Sequence, residues 1–200
     1  MVEIPFSKLL AKGQKRIVNS IFYLAVQYTI NLIIVRSEGL IYEERSNLIM
    51  AKVDVTDEAV LESPPKTVYN TFLNELSGIT QWWMPYLQCK SREGKLICRE
   101  GEFFDATIHP ESRLNIKVSC KITKMEDSKI IAIEYAGDFI GTGEYTFEPS
   151  DKGTKVKFRF KVKTHNPLLT LLAPFANTSK AHSEVMQQGF KACNNYLKQS

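Results

Sequence analysis

The residues of this chain that can do acid–base chemistry are few and scattered. His182 stands one turn before Met186 on an apolar helical stripe. An imidazole there can polarise a carbonyl or move a proton; the alternative is a helix-start histidine bonded to a loop carbonyl. Tyr135 and Tyr145 fall on the apolar-leaning faces of neighbouring strands. A tyrosine so placed packs its ring and offers a hydroxyl to a half-polar molecule, or serves core packing alone. Glu134 and Asp138 take the other face of the Tyr135 strand and read as solvated carboxylates. His182 and Tyr135 are therefore the catalytic candidates. The chain has no GxSxG, HExxH, P-loop or Rossmann fingerprint. His109, His165 and His182 lie far apart and next to no carboxylate cluster, so no metal site is expected, and no cofactor. Cys89, Cys98, Cys120 and Cys193 form no CxxC pair and read as free thiols of a reducing cytosol.

The elements that position these groups follow from periodicity. Residues 52–63 alternate as a strand, with Val53, Val55, Ala59 and Leu61 on its apolar side. Pro64-Pro65 ends it and opens a short amphipathic helix over 66–76, with Val68, Phe72 and Leu76 at spacing four. Ser77-Gly78 breaks that helix. "ITQWWMPYL" (79–87) reads as a second short helix stopped near Pro85. On a helix Trp82 and Trp83 would point about 100° apart: one a core anchor, the other, assigned to Trp83, at a cavity mouth. From residue 87 the period becomes two. Glu93-Gly94 and Glu100-Gly101 mark turns between two or three strands. Residues 113–125 alternate strictly, with Leu114, Ile116, Val118, Cys120 and Ile122 on one face. Strands over 129–141, 141–149 and 154–164 follow, the last two joined by the turn Ser150-Asp151-Lys152-Gly153. A greasy connection, 166–176, leads to a long helix from Ser179 to Leu197. Its inner stripe is His182, Met186, Gly189, Cys193 and Leu197. Gly189, on that stripe, either lets helix and sheet approach closely or leaves room for a ligand. Consecutive strands with short turns make an antiparallel sheet whose apolar face needs the long helix as cover.

Composition sets wider bounds. The 200 residues are 44% hydrophobic and 24% charged, enough to bury a core, and the net charge of +4 is too mild to indicate nucleic acid. Residues 17–35 carry no charge and follow Lys8, Lys12, Lys15 and Arg16, as a membrane anchor would. Asn19, Gln27 and Asn31 make it a poor span. Met50-Ala51-Lys52 reads as a natural protein start, so 1–49 is an N-terminal extension (a misassigned start, an anchor or an extra helix) and 50–200 the main domain. The expected location is the cytoplasm, or the membrane if 17–35 is an anchor.

Several stretches carry a resemblance: "VLESPPKTVYNTF", "QWWMPYL", "EYAGDFIGTGEYTFEPSDKGTKVKF", and "PLLTLLAPF" followed by "HSEVMQQGF". Their order over about 53–197 resembles the START-like helix-grip superfamily (SRPBCC), in its polyketide cyclase/dehydrase-like branch. The resemblance implies an α+β helix-grip fold. A curved antiparallel sheet of about seven strands surrounds the long C-terminal helix, with two short helices after the first strand. It also implies a cavity for lipids, polyketides or other apolar molecules. The residues placed to line it are Trp83, Phe104, Tyr135, Tyr145, Phe158 and Phe160, then Phe175 in the connection and His182 and Met186 on the long helix.

Fold does not fix chemistry. The reading favoured is a binding, transport or sensing domain for a small hydrophobic molecule. The alternatives are a cyclase/dehydrase-type enzyme in the same cavity, and a stress-type partner-binding domain using the outer sheet face. That face carries Lys155, Lys157, Arg159, Lys161 and Lys163. Thr142, Glu144, Thr146 and Glu148 on the neighbouring strand explain the stripe by cross-strand pairing, without a partner. Nucleic acid is not expected, since the aromatics fall on the opposite face. Membrane contact has two routes, 17–35 and 167–175.

Overall fold

The computed structural model describes residues 52–109, 115–165 and 178–199. In chain order the elements are β1 (Lys52–Leu61), α1 (Pro65–Ser77), β2 (Leu87–Ser91), β3 (Phe103–Ile108), β4 (Ile116–Glu126), β5 (Ile130–Gly137), β6 (Phe139–Ser150), β7 (Gly153–Thr164) and α2 (Thr178–Leu197). The seven strands form one curled antiparallel sheet in the order β1-β7-β6-β5-β4-β3-β2. Strands two to seven form a simple meander, and the first strand joins beside the last.

Alternation sets which face is inside. On β7, Val156, Phe158, Phe160 and Val162 are buried. Register aligns them with Ala59, Asp57, Val55 and Val53 on β1, and with Phe147, Tyr145, Gly143 and Gly141 on β6. Val118, Cys120 and Ile122 of β4 and Ile131 and Ile133 of β5 continue the same face. Each large apolar side chain buried here contributes roughly 1.5–3 kcal/mol.

Two helices cover this face. Pro64 caps α1 in an extended conformation and Pro65 opens it; Gly78 closes it at φ 77°, its N–H donating to the Glu75 carbonyl. Val68, Tyr69, Phe72 and Leu76 face the sheet. On α2 the predicted stripe holds for Met186, Gly189 and Cys193, which are buried, and Phe190 joins them. Asn194 and Lys198 fasten its last turns to Glu62, at the end of β1.

The second short helix expected over 79–87 does not form. Residues 82–86 are a succession of turns, and the Met84–Pro85 peptide is cis. Pro85 has no N–H and disfavours a helical Met84. Glu75, a buried carboxylate on α1, instead accepts the N–H of Trp82 at 3.0 Å, the N–H of Trp83 at 3.2 Å and the Thr80 hydroxyl at 2.9 Å. The boundary between the central strands also moves. The chain breaks at Asp138, not Gly141, because Asp138 folds back on β4 and its Oδ2 accepts the Lys117 N–H at 2.8 Å. Asp138 is thus a backbone clip, not a freely solvated carboxylate; Glu134 is exposed as expected.

Candidate functional site

The two tryptophans do not diverge. Their rings stack, with centroids 5.3 Å apart and planes 12° from parallel. Trp83 is 1% exposed and donates Nε1–H to the Val185 carbonyl of α2 at 3.2 Å. Its six-membered ring lies where a Gly189 side chain would be. The bare glycine therefore admits Trp83, and the pair is one packing device of the core. Trp82 packs edge-on to Phe72, and its own Nε1 is buried without a partner among the described residues.

Of the other predicted lining residues, Phe104, Tyr145, Phe158, Phe160 and Met186 are all buried at 5% exposure or less, on the inner side of the sheet or of α2. Tyr145 stacks on Phe158 at 4.1 Å. Tyr135 and His182 keep part of their surface accessible. Phe175, the connection 166–176 and the segment 17–35 lie outside the described residues.

Tyr135, Phe160 and His182 come together at one end of the fold. This end joins the start of β1, the finish of β7, the start of β6, the finish of β5 and the first turns of α2. The Phe160 ring touches Tyr135 edge-on at 5.5 Å and Phe139 at 5.9 Å, and lies 4.3 Å under the His182 ring, nearly parallel. Glycines clear space among these rings. Gly143, paired with Phe160, has the Tyr135 hydroxyl directly over its Cα; an added Cβ would stand 2.5 Å from that oxygen. Neither the Tyr135 nor the Tyr145 hydroxyl has a hydrogen-bond partner among the described residues. Burial pushes both phenols well above their ordinary pKa, so they are neutral donors.

Among the described residues His182 bonds a carboxylate and no loop carbonyl. Its Nδ1 lies 3.1 Å from Oδ2 of Asp57, an inward carboxylate of β1 that is 7% exposed. Burial lowers the His182 pKa, against the opposing pull of the Asp57 charge, so the ring is neutral near pH 7. A neutral imidazole giving Nδ1–H to a carboxylate presents Nε2 as an acceptor. Sequence reasoning passed over Asp57, yet its signal was there: a carboxylate in phase with Val53, Val55, Ala59 and Leu61.

Other groups offer less chemistry. The cysteines are free; Cys89, Cys120 and Cys193 are buried, and burial raises their thiols, that of Cys193 to about 12, so none is a thiolate nucleophile. Among the described residues no His, Cys, Asp and Glu cluster of three or more could hold a metal, and no helix is long and apolar enough to cross a membrane. On the outer face Lys155 pairs with Glu58 at 3.1 Å, Lys157 with Glu148 at 3.4 Å and Arg159 with Asp54 at 3.5 Å. Compensation therefore comes from β1 as well as from β6, the only source in the sequence reading.

A curled antiparallel sheet closed over a long C-terminal helix, with an aromatic inner face, defines the helix-grip class. Within it, this chain belongs to the family described as polyketide cyclase/dehydrase and lipid transport, which matches residues 52–198. A search of the curated proteins finds no match. Among solved structures, TTHA0849 from Thermus thermophilus superposes with a TM-score of 0.57 at 18% identity, covering 72% of this chain and 95% of that one. An uncharacterized protein from Rhizobium leguminosarum gives 0.54 at 14% identity, covering 76% and 97%. Ara h 8.0201 gives 0.50 at 18% identity, covering 75% and 100%. At these identities the likeness is one of fold.

Proposed function

We propose that this domain binds a small, largely apolar molecule between the inner face of its sheet and α2. The polar end of that molecule would lie beside Tyr135 and His182. The observation that carries this reading is the Tyr135 hydroxyl: set among rings, seated over Gly143 and without a partner among the described residues. A hydroxyl that is partly accessible and set among rings is placed to meet the polar end of a bound molecule. The family's association with lipid transport and cyclisation supports the same reading. Binding would be driven by burial of ligand surface at ~25 cal/mol per Å², with few polar contacts setting orientation.

The test is native mass spectrometry of the purified protein, with solvent extraction of whatever it carries. A thermal-shift panel of fatty acids, sterols and aromatic polyketides goes alongside. The expected result is a bound apolar species, or stabilisation by at least one panel member. A protein that emerges empty and that no member of the panel stabilises would refute the proposal.

A further inference from the structure

The Asp57–His182 pair is a polar contact set in an apolar row. Asp57 occupies an inward position of β1 where every neighbour in phase is apolar. A carboxylate there loses its hydration, and the His182 N–H is the partner that compensates it. The pair has a defined direction. Asp57 fixes one ring nitrogen at 3.1 Å from the β1 side. The imidazole lies flat on Phe160, with Phe158 at 5.8 Å under its edge. The other nitrogen of an imidazole sits on the far side of the ring from the first. From β1 across Phe160 the next strand is β6, at Gly143, where the Tyr135 hydroxyl and the edge of the Phe158 ring take the room a side chain would need. Nε2 has no partner among the described residues.

We propose that Asp57 and His182 form a proton-accepting site for an apolar ligand that carries an acidic hydroxyl, a phenol or an enol. This rests on the binding reading above and adds the class of polar group. The ligand O–H donates to His182 Nε2. When the proton transfers, the O–H bond breaks and an N–H bond forms at Nε2; the imidazolium is held by the Asp57 carboxylate. The resulting oxyanion lies within the space that the neutral Tyr135 hydroxyl borders, and Tyr135 can donate to it. Ethers, esters and hydrocarbons of the same shape offer no proton and gain nothing from the pair.

The test is a matched pair of probes, 1-naphthol and its methyl ether 1-methoxynaphthalene, titrated into the purified protein and followed by calorimetry and by naphthol fluorescence. The expected result is a preference for the naphthol of about tenfold, equal to one well-made hydrogen bond. His182→Phe should abolish the preference, bringing the two probes to equal affinity. Asp57→Asn, which can turn the imidazole to the other tautomer by donating to Nδ1, should lose the preference. Equal affinity of the wild-type protein for both probes overturns this inference and leaves hydrophobic binding standing; this comparison needs no variant to fold. Binding of neither probe by a protein that also emerges empty from extraction overturns both.

Discussion

Gly189→Ala should destabilise this protein, although alanine is the better helix former. The intrinsic gain of the substitution is about 1 kcal/mol. Against it stands Trp83. The new methyl would overlap Cε2, Cζ2 and Nε1 of a ring that is 1% exposed and has nowhere to go. Trp82 stacks on it, Phe72 packs edge-on at 6.3 Å and the Nε1–H bond to Val185 pins its edge. Ordinary carbon contacts lie at about 3.5–4.0 Å, so ring or helix must shift by more than an ångström. Overpacking of this kind costs about 1–3 kcal/mol, and losing the Val185 bond adds about 1 kcal/mol. The net is a loss of roughly 1–3 kcal/mol. For a chain of this size that lowers the melting temperature by roughly 3–10 °C. Urea denaturation followed by circular dichroism measures it. Repeating the substitution in a Trp83→Phe background isolates the contact, because the smaller ring leaves room; the cost of Gly189→Ala should shrink there by about 1 kcal/mol or more. A Gly189→Ala protein as stable as wild type, or an undiminished cost in the Trp83→Phe background, would show that the indole is not what the glycine accommodates.

Three further outcomes follow from the same contacts. Burial is the largest influence on Glu75 and raises its pKa, outweighing the bonds from Thr80, Trp83 and Trp82 that lower it. A raised folded pKa means that the group's contribution is fully present below its unfolded value and is lost as pH rises through the folded value. The stability of wild type minus that of Glu75→Gln should therefore fall as pH rises upward from the ordinary glutamate range of about 4.3; urea midpoints across that range check it, and a flat difference contradicts it. Tyr135→Phe removes a hydroxyl with no partner among the described residues, so stability should stay within about 0.5 kcal/mol of wild type; a loss above about 1 kcal/mol in thermal melts would reveal a hidden partner. Lys157→Ala breaks an exposed ion pair with Glu148 and should cost under about 1 kcal/mol, diminishing with added salt.

What was legible in the sequence and what was not divide along a physical line. Local periodicity reports which face of an element is buried, so the strands and the stripe of α2 could be read directly. Val118, Cys120 and Ile122 on β4 and the four inward residues of β7 are examples. Periodicity says nothing about who meets whom across the core. His182 and Asp57 are 125 residues apart, and their 3.1 Å contact exists only because β1 joins β7 at the edge of the sheet beside the first turns of α2. The tryptophan turn failed for a related reason. A spacing of four between Ile79 and Trp83 suggests a helix, but Ile79 is 57% exposed, and the segment is held by a carboxylate from a different element. Helical spacing carries weight where backbone N–H groups have no better acceptor, and Glu75 is a better acceptor.

The two carboxylates that the sequence reading passed over, Asp57 and Glu75, share a signature that sequence does contain. Each sits in phase with apolar residues of its own element, Asp57 with Val53 and Leu61, Glu75 with Val68 and Phe72. An acid in that position must find a partner or lose its charge. Glu75 finds backbone and builds a turn. Asp57 finds an imidazole, the Nδ1 of His182 at 3.1 Å. Glu75 has its bonding completed by the turn it builds, whereas in the site proposed above Asp57 would pass its bonding capacity on through His182; that difference separates a structural carboxylate from one that could serve a ligand.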